Sequence, residues 1–301
     1  MNTINITVSA IAYELGEYIH VWRDLPGIQE KMNSFGMTDD PELWGLGQFR
    51  RTKKTRIALA LDSAHQTMQK SGLAPSDIDA LIVCAVSLPD DIENQVEFTN
   101  ALARELQIVE KPLFGLSLNR CATLLSGLQM ARTFVLSGEF KNILVIGVDL
   151  LKDEDGRLER FAIFSDGAAS CVVSSEIENG YQIKKTAWKG SLLGANAALD
   201  MGIELASNVT QELEIVKKAS SLSKVFHDNL FIPIVSMREQ MAGFSENQLY
   251  LSNISRFGHC FSCDPLINLS DYEMQSPLAQ GSSFLLACST PGVRTALLLQ
   301  K

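Results

Sequence analysis

A chain of 301 residues that is 46% hydrophobic and 20% charged fits one large α/β domain or two fused halves, and is too apolar for a disordered tail or a fibre. The formal charge of −9, from 35 acidic and 26 basic residues, argues against a nucleic-acid ligand. The basic run Arg50-Arg51-Thr52-Lys53-Lys54 reads first as a solvated loop. No apolar run approaches the roughly 18 residues of a membrane span, and Met1-Asn2-Thr3-Ile4-Asn5 has neither the basic nor the apolar region of an export signal. Six cysteines, at positions 84, 121, 171, 260, 263 and 288, are too sparse for a disulfide scaffold, so reduced thiols in a cytoplasm are expected.

In chain order, the spacing of Ile57, Leu61, Ala64 and Met68 predicts a helix over 55–72 that Gly72 ends. Pro75-Ser76-Asp77 turns the chain into an apolar strand at 81–86. A helix over 93–106, a short strand at 113–118, a helix over 121–136 stopped by Ser137-Gly138, and a strand at 143–148 follow. Apolar strands alternating with helices imply a largely parallel sheet covered on both faces. The second half reads less clearly. It offers a strand over 182–188, a mainly helical stretch over 210–230, and Pro233 as a helix breaker. A short strand at 249–251 and a closing antiparallel pair at 284–288 and 293–299 complete it. The order strand, polar loop, helix at 116–121 returns at 249–265, a loose echo between the halves.

Cys121 follows a strand and the polar pair Asn119-Arg120, and opens a predicted helix. Amides and dipole at a helix N-terminus stabilise a thiolate, and Arg120 adds to that, so Cys121 is a candidate nucleophile. The alternative is a small buried core residue. His259 follows Arg256-Phe257-Gly258, and Asp264 lies five residues on, before Pro265. A nucleophilic thiol needs a base, and the base needs an acceptor to fix its tautomer. The two converge if His259 lies in a loop and Asp264 caps the helix starting near Pro265; each is otherwise a loop residue and a plain cap. Cys260 and Cys263 form a lone Cys-x-x-Cys with no second pair, so no metal site is expected. His20 and His65 read as surface or packing residues, and no Gly-rich phosphate loop is present.

Four blocks in order carry a resemblance. They are Ser71-Gly72-Leu73-Ala74-Pro75-Ser76-Asp77-Ile78-Asp79; Cys121-Ala122; Ser137-Gly138-Glu139-Phe140-Lys141-Asn142-Ile143-Leu144-Val145-Ile146-Gly147; and Phe164-Ser165-Asp166-Gly167-Ala168. With them the chain resembles the β-ketoacyl-acyl-carrier-protein synthase III family of the thiolase superfamily, from about Trp44 onward. The resemblance implies an α/β thiolase-like fold, two pseudo-symmetric halves in an α-β-α-β-α layering. Residues 1–175 would carry the nucleophile and 176–301 the histidine and aspartate.

Condensing members of that family use a His from a "HQAN" segment and an Asn from a "GN" turn. Here the first segment reads Phe226-His227-Asp228-Asn229-Leu230 and the second Phe257-Gly258-His259. Anchored on Asn229, the His slot holds Phe226, with His227 one residue late. These departures resemble a branch that transfers acyl groups without forming a carbon–carbon bond, through a triad that Cys121, His259 and Asp264 match in type and spacing. By the same resemblance the Cys121 and Thr290 amides would form the oxyanion site. Trp44 would stand near a pantetheine entrance, with Gln48 where an Arg is usual, and Arg50, Arg51, Lys53 and Lys54 would meet an acidic carrier. The expected reaction moves an acyl group from an acyl-phosphopantetheine thioester, on carrier protein or coenzyme A, to a hydroxyl or amine, in a dimer with itself or a homologue and with no bound cofactor. The alternatives are decarboxylative condensation using His227 and Asn229, and a non-catalytic partner subunit.

Overall fold

The computed structural model describes residues 4–191, 202–215 and 222–301. Strand β1 (Thr7–Leu15) opens the chain. A small hairpin of β2 (Tyr18–Val21) and, after helices α1 (Ile28–Phe35) and α2 (Pro41–Trp44), β3 (Gln48–Arg51) follows it. Helix α3 (Arg56–Ser71) starts at Thr55, whose hydroxyl accepts from the Ala58 amide, and stops at Gly72 in the left-handed region. Then come β4 (Ala80–Cys84), α4 (Ile92–Glu105), β5 (Leu113–Leu116), α5 (Thr123–Ser137), β6 (Asn142–Asp149) and β7 (Gly167–Ser174). The rest is β8 (Tyr181–Gly190), α6 (Ile203–Glu212), β9 (Val225–Phe226), α7 (Ile232–Met241), α8 (Ser252–Phe257), α9 (Asp264–Gln275), β10 (Ser283–Thr290) and β11 (Val293–Gln300).

Nine strands join in the order β5-β4-β6-β7-β1-β8-β11-β10-β9. Among the described residues, only β5-β4, β4-β6 and β10-β9 are parallel. The expectation of a largely parallel sheet therefore fails beyond β6. The 150–166 connection returns the chain as β7 without a crossover α-helix, and β7 runs antiparallel to β6. The amino-terminal β1, which the sequence reading left unassigned, then pairs antiparallel with β7 and, over two residues, with β8.

Alternation along the strands explains the layers. Ile82, Cys84 and Val145 face one way, with Phe284, Leu286, Leu297 and Leu299 of the other strand group facing them across α5 and α9. Leu81, Val83, Leu144 and Ile146 face α3 and α4 instead, and Leu285, Ala287 and Ala296 face α6. Side chains of a strand point alternately to opposite faces, so one continuous sheet covers three helical layers. The two helices buried in the middle, α5 and α9, are the ones whose amino-terminal turns hold the candidate residues.

Three further expectations change. The helix over 210–230 ends at Glu212, and Glu214 follows with φ 57°; Val225 and Phe226 pair with Leu285 and Leu286 of β10 instead of continuing it. Residues 216–221 of that stretch lie outside the described residues. The 249–251 strand reduces to one bridge, Val225 to Leu249. Pro233 starts α7 rather than breaking a helix, because the first helical turn has no use for its missing N–H.

Candidate active site

The turn that carries Cys121 comes first. After β5 the chain makes a short 3-10 turn, Arg120–Ala122, before α5 begins at Thr123. Cys121 therefore sits in the turn and not in the helix predicted over 121–136. Arg120 has φ 49°, a left-handed conformation that bends the chain sharply. The Arg120 amide donates to Ser117 O (3.1 Å) and the Ala122 amide to Asn119 O (2.9 Å). Among the six cysteines, Cys121 alone is not buried. Burial pushes the thiols of the other five up, leaving them protonated packing groups. Cys260 and Cys263 fill space beside glycines: a Cβ on Gly167 would lie 3.1 Å from Cys260 Sγ, and one on Gly147 would lie 2.9 Å from Cys263 Sγ.

The second turn leaves α8 at Gly258, with φ 69°. A Cβ there would stand 2.9 Å from Ile163 O, so only glycine fits. His259 is then pinned by its backbone, its amide donating to Ile163 O (2.8 Å) and its carbonyl accepting from Ser165 N (2.9 Å). A 3-10 turn, Phe261–Cys263, leads into α9. Asp264 is the first residue of α9 rather than its cap, and its carboxylate turns back toward the loop. Oδ2 accepts from His259 Nδ1 (2.5 Å) and the Asn229 amide (2.7 Å); Oδ1 accepts from the Cys260 amide (2.7 Å) and Asn229 Nδ2 (3.4 Å).

A carboxylate only accepts, so the proton lies on Nδ1 and the other ring nitrogen is free. That nitrogen, Nε2, stands 3.3 Å from Cys121 Sγ. His259 and Asp264 are fully buried. Burial opposes charging this imidazole, but the Asp264 carboxylate and the Cys121 sulfur outweigh it and hold the ring well above its usual value. Phe164 lies against the ring at 5.1 Å between centroids and stacks on Phe261 at 4.5 Å.

Asn229, expected as a condensing residue, instead holds Asp264 with both its amide and its side chain, while Asn268 Nδ2 donates to Asn229 Oδ1 (2.9 Å). His227 stays apart from Cys121, His259 and Asp264. Its Nδ1 donates to Asp228 O (2.8 Å), and its buried Nε2 meets no partner among the described residues. Burial pulls this imidazole down, so it is neutral with a lone pair on Nε2. Thr290 ends β10, one residue before Pro291, whose carbonyl accepts from Arg120 Nη1 (3.4 Å). Cys288, which no spacing singled out, donates its thiol to Cys121 O (2.9 Å).

The expected entrance is more occupied than its sequence suggests. Trp44 packs edge-on to Phe231 (5.9 Å) in an apolar cluster, its indole N–H bound to Thr38. Arg51 pairs with Glu154 (2.7 Å), and Lys54 with Glu14 (2.9 Å) and Asp62 (2.8 Å). Lys53 lies over Tyr18, and Arg50 over Phe257. Carboxylates of the same chain thus neutralise Arg51 and Lys54, leaving Arg50 and Lys53 as the cations of the 50–54 run held only by aromatic rings.

Residues 117–191 match the protein family described as 3-oxoacyl-[acyl-carrier-protein] synthase III. Beta-ketoacyl-[acyl-carrier-protein] synthase III of Rickettsia massiliae is 23% identical over 261 residues, 78% of this chain and 80% of that protein. The same enzyme of Caldanaerobacter subterraneus is 31% identical over 140 residues, 46% of this chain and 39% of its own. Two crystal structures superpose over nearly the whole chain. One is 3-oxoacyl-[acyl-carrier-protein] synthase III of Aquifex aeolicus, with TM-score 0.81, 18% identity and coverage of 98% of this chain and 100% of that one. The other is OleA of Xanthomonas campestris, solved with lauric acid and lauroyl-CoA, with TM-score 0.83, 14% identity and 99% of each chain covered. Among the described residues no helix is long and apolar enough to cross a membrane. The chain thus has the thiolase-like fold of these two structures, and its residues 117–191 match the 3-oxoacyl-[acyl-carrier-protein] synthase III family.

Proposed function

We propose that the protein is an acyltransferase that carries an acyl group on Cys121 from a thioester to a hydroxyl or amine acceptor. The observation that carries the reading is the line Cys121 Sγ, His259, Asp264, with 3.3 Å and 2.5 Å between partners. His259 Nε2 takes the thiol proton as sulfur attacks the thioester carbonyl, and the resulting imidazolium is held by Asp264. The donor thiolate leaves and takes that proton. Nε2 then removes a proton from the acceptor as its oxygen or nitrogen attacks the acyl-Cys121 carbonyl, and Cys121 leaves as the thiol. The oxyanion of each step is assigned to the Cys121 and Thr290 amides, where preorganised donors contribute most.

The donor is an acyl-phosphopantetheine thioester; relatives named for acyl-carrier-protein chemistry and a neighbour solved with lauroyl-CoA support that class. The names of the relatives also support a second reading, decarboxylative condensation. It conflicts with His227, whose bond to a carbonyl leaves Nε2 as an acceptor, whereas stabilising a thioester carbonyl requires a donor.

Incubation with a panel of acyl-carrier and coenzyme A thioesters, read by intact mass, tests the proposal. One acyl group should appear on the protein and none on Cys121→Ala. A stoichiometric adduct that persists in Cys121→Ala would overturn the assignment, and carbon dioxide release from a malonyl thioester would favour condensation.

A further inference from the structure

Behind the site, five side chains form an unbroken buried series. Arg238 donates to Asp228 through Nη2 (2.6 Å) and Nη1 (3.3 Å), and through Nε to Glu239 (2.9 Å). Arg294 donates to both oxygens of Glu239 (2.8 Å each) and, from Nη1, to Ser289 Oγ (2.9 Å). None of the five is more than 5% exposed. Two carboxylates and two guanidinium groups cancel in charge, and despite its burial Glu239 is held at about 2 by Arg294 and Arg238.

The ends of the series meet the two turns of the site. Asp228 precedes Asn229, which holds Asp264 and through it His259. Ser289 follows Cys288, whose thiol holds the Cys121 carbonyl. With the Cys121–His259 contact the circuit closes. It is a ring of side-chain bonds joined by two single backbone steps and by Cys121 itself.

Buried ion pairs are a poor source of stability, since well-packed apolar residues of similar volume often do as well or better. Forked arginine contacts do fix direction and spacing. We propose that Glu239 and Arg294 are positioning residues, bracing the nucleophile turn at a set distance from the imidazole by tying β10 and β11 to α7 and the Asp228–Asn229 segment. The inference deepens the acyl-transfer reading and rests on it for Cys121 as the reacting group. The titratable and charged groups around that sulfur are His259 with Asp264 behind it, Cys288 beneath the turn, and Arg120 beside it.

The test removes the pair without orphaning a charge, by Glu239→Leu together with Arg294→Met, which leaves Arg238 on Asp228. Iodoacetamide labelling of Cys121 is timed by intact mass, the other five cysteines being buried. The variant should melt no lower than the parent and label about tenfold more slowly at neutral pH. At about pH 10, where a thiol ionises unaided, it should match the parent. A purely structural pair would move the melting temperature and leave that contrast alone. Should the double variant not fold, Ser289→Ala, which removes only the last bond, carries the decision with an expected loss of about threefold. A folded variant that labels at the parental neutral rate overturns the brace. Thioester acylation of the unchanged protein is run alongside; if that fails while the labelling contrast appears, the acyl-transfer reading falls and the brace stands.

Discussion

The turn that offers Cys121 and the turn that offers His259 and Asp264 are built alike but finished differently. Each is a 3-10 turn opening with a residue in the left-handed region, Arg120 at φ 49° and Phe261 at φ 52°, and each leads into one of the two central helices. The first turn leaves its sulfur half-exposed, and its opening residue, Arg120, stands in solvent. The second is sealed: His259, Asp264 and Asn268 are fully buried, four bonds converge on one carboxylate, and Phe261 stacks on Phe164. The difference follows from chemistry. A nucleophile has to be reached by a substrate, whereas an imidazole holds one tautomer and gains basicity only where fixed dipoles replace water.

Breaking the open turn should have the largest effect. Cys121→Ala should abolish acyl labelling and turnover while the circular dichroism spectrum stays unchanged, and Cys260→Ser and Cys263→Ser should keep the label. Breaking the closed turn comes next. Asp264→Asn lets the ring adopt the opposite tautomer, and acyl transfer should fall by on the order of 10⁴, as in the serine triad that defines this effect. A loss of only a few fold, measured by steady-state rates, would mean that Asp264 serves the fold alone.

The opening residues sharpen the contrast through stability. Phe261→Gly gives up a stacked aromatic and should cost about 3 kcal/mol in a denaturant titration. Arg120→Gly relaxes a left-handed residue that buries nothing and should change stability by less than about 1 kcal/mol. Equal costs would show that the two turns are not finished differently.

The closed turn also gives a slope in stability with pH. Burial pushes Asp149, whose Oδ2 accepts from Ser262 in the closed turn, up to about 7. A carboxyl raised in the folded state contributes stability below its unfolded value, about 3.9, and that contribution is lost as pH rises through 7. His259, also raised, has the same sign: its contribution is complete below about 6.5 and is lost as pH rises through the higher folded value. From pH 4 to pH 7 Asp149 lowers the melting temperature as pH rises, against the opposite slope of His227, whose lowered imidazole costs stability below about 6.5; above that His259 lowers it further. Asp149→Asn should therefore make the lower span rise more steeply with pH and His259→Gln should flatten the upper one, while Cys121→Ala leaves the lower span in place.

Local physics made part of this molecule legible from residues alone. Thr55 and Gly72 bound α3 to within a residue, because capping and left-handed termination are properties of those side chains and their own backbone. The 284–299 hairpin and the strands near 81 and 143 were legible because their apolar runs are buried on both faces, and the half-buried edge strand near 113 because Leu113, Phe114 and Leu116 still form a short apolar run. The spacing of Cys121, His259 and Asp264 allowed a triad, and the family resemblance favoured it over a core thiol and a helix cap. Tertiary structure decided the rest. Antiparallel β7 and β1, the strand pairing that took Val225 and Phe226 out of a helix, and the carboxylates that neutralise Arg51 and Lys54 all depend on partners far off in sequence. The same holds for Asn229 turning from a catalytic candidate into the support of Asp264, and for Cys288 beneath Cys121. A sequence carries the propensities of each residue, but a buried polar atom takes its role from whichever donor or acceptor the packed chain brings within about 3 Å, and that choice exists only once the fold has closed.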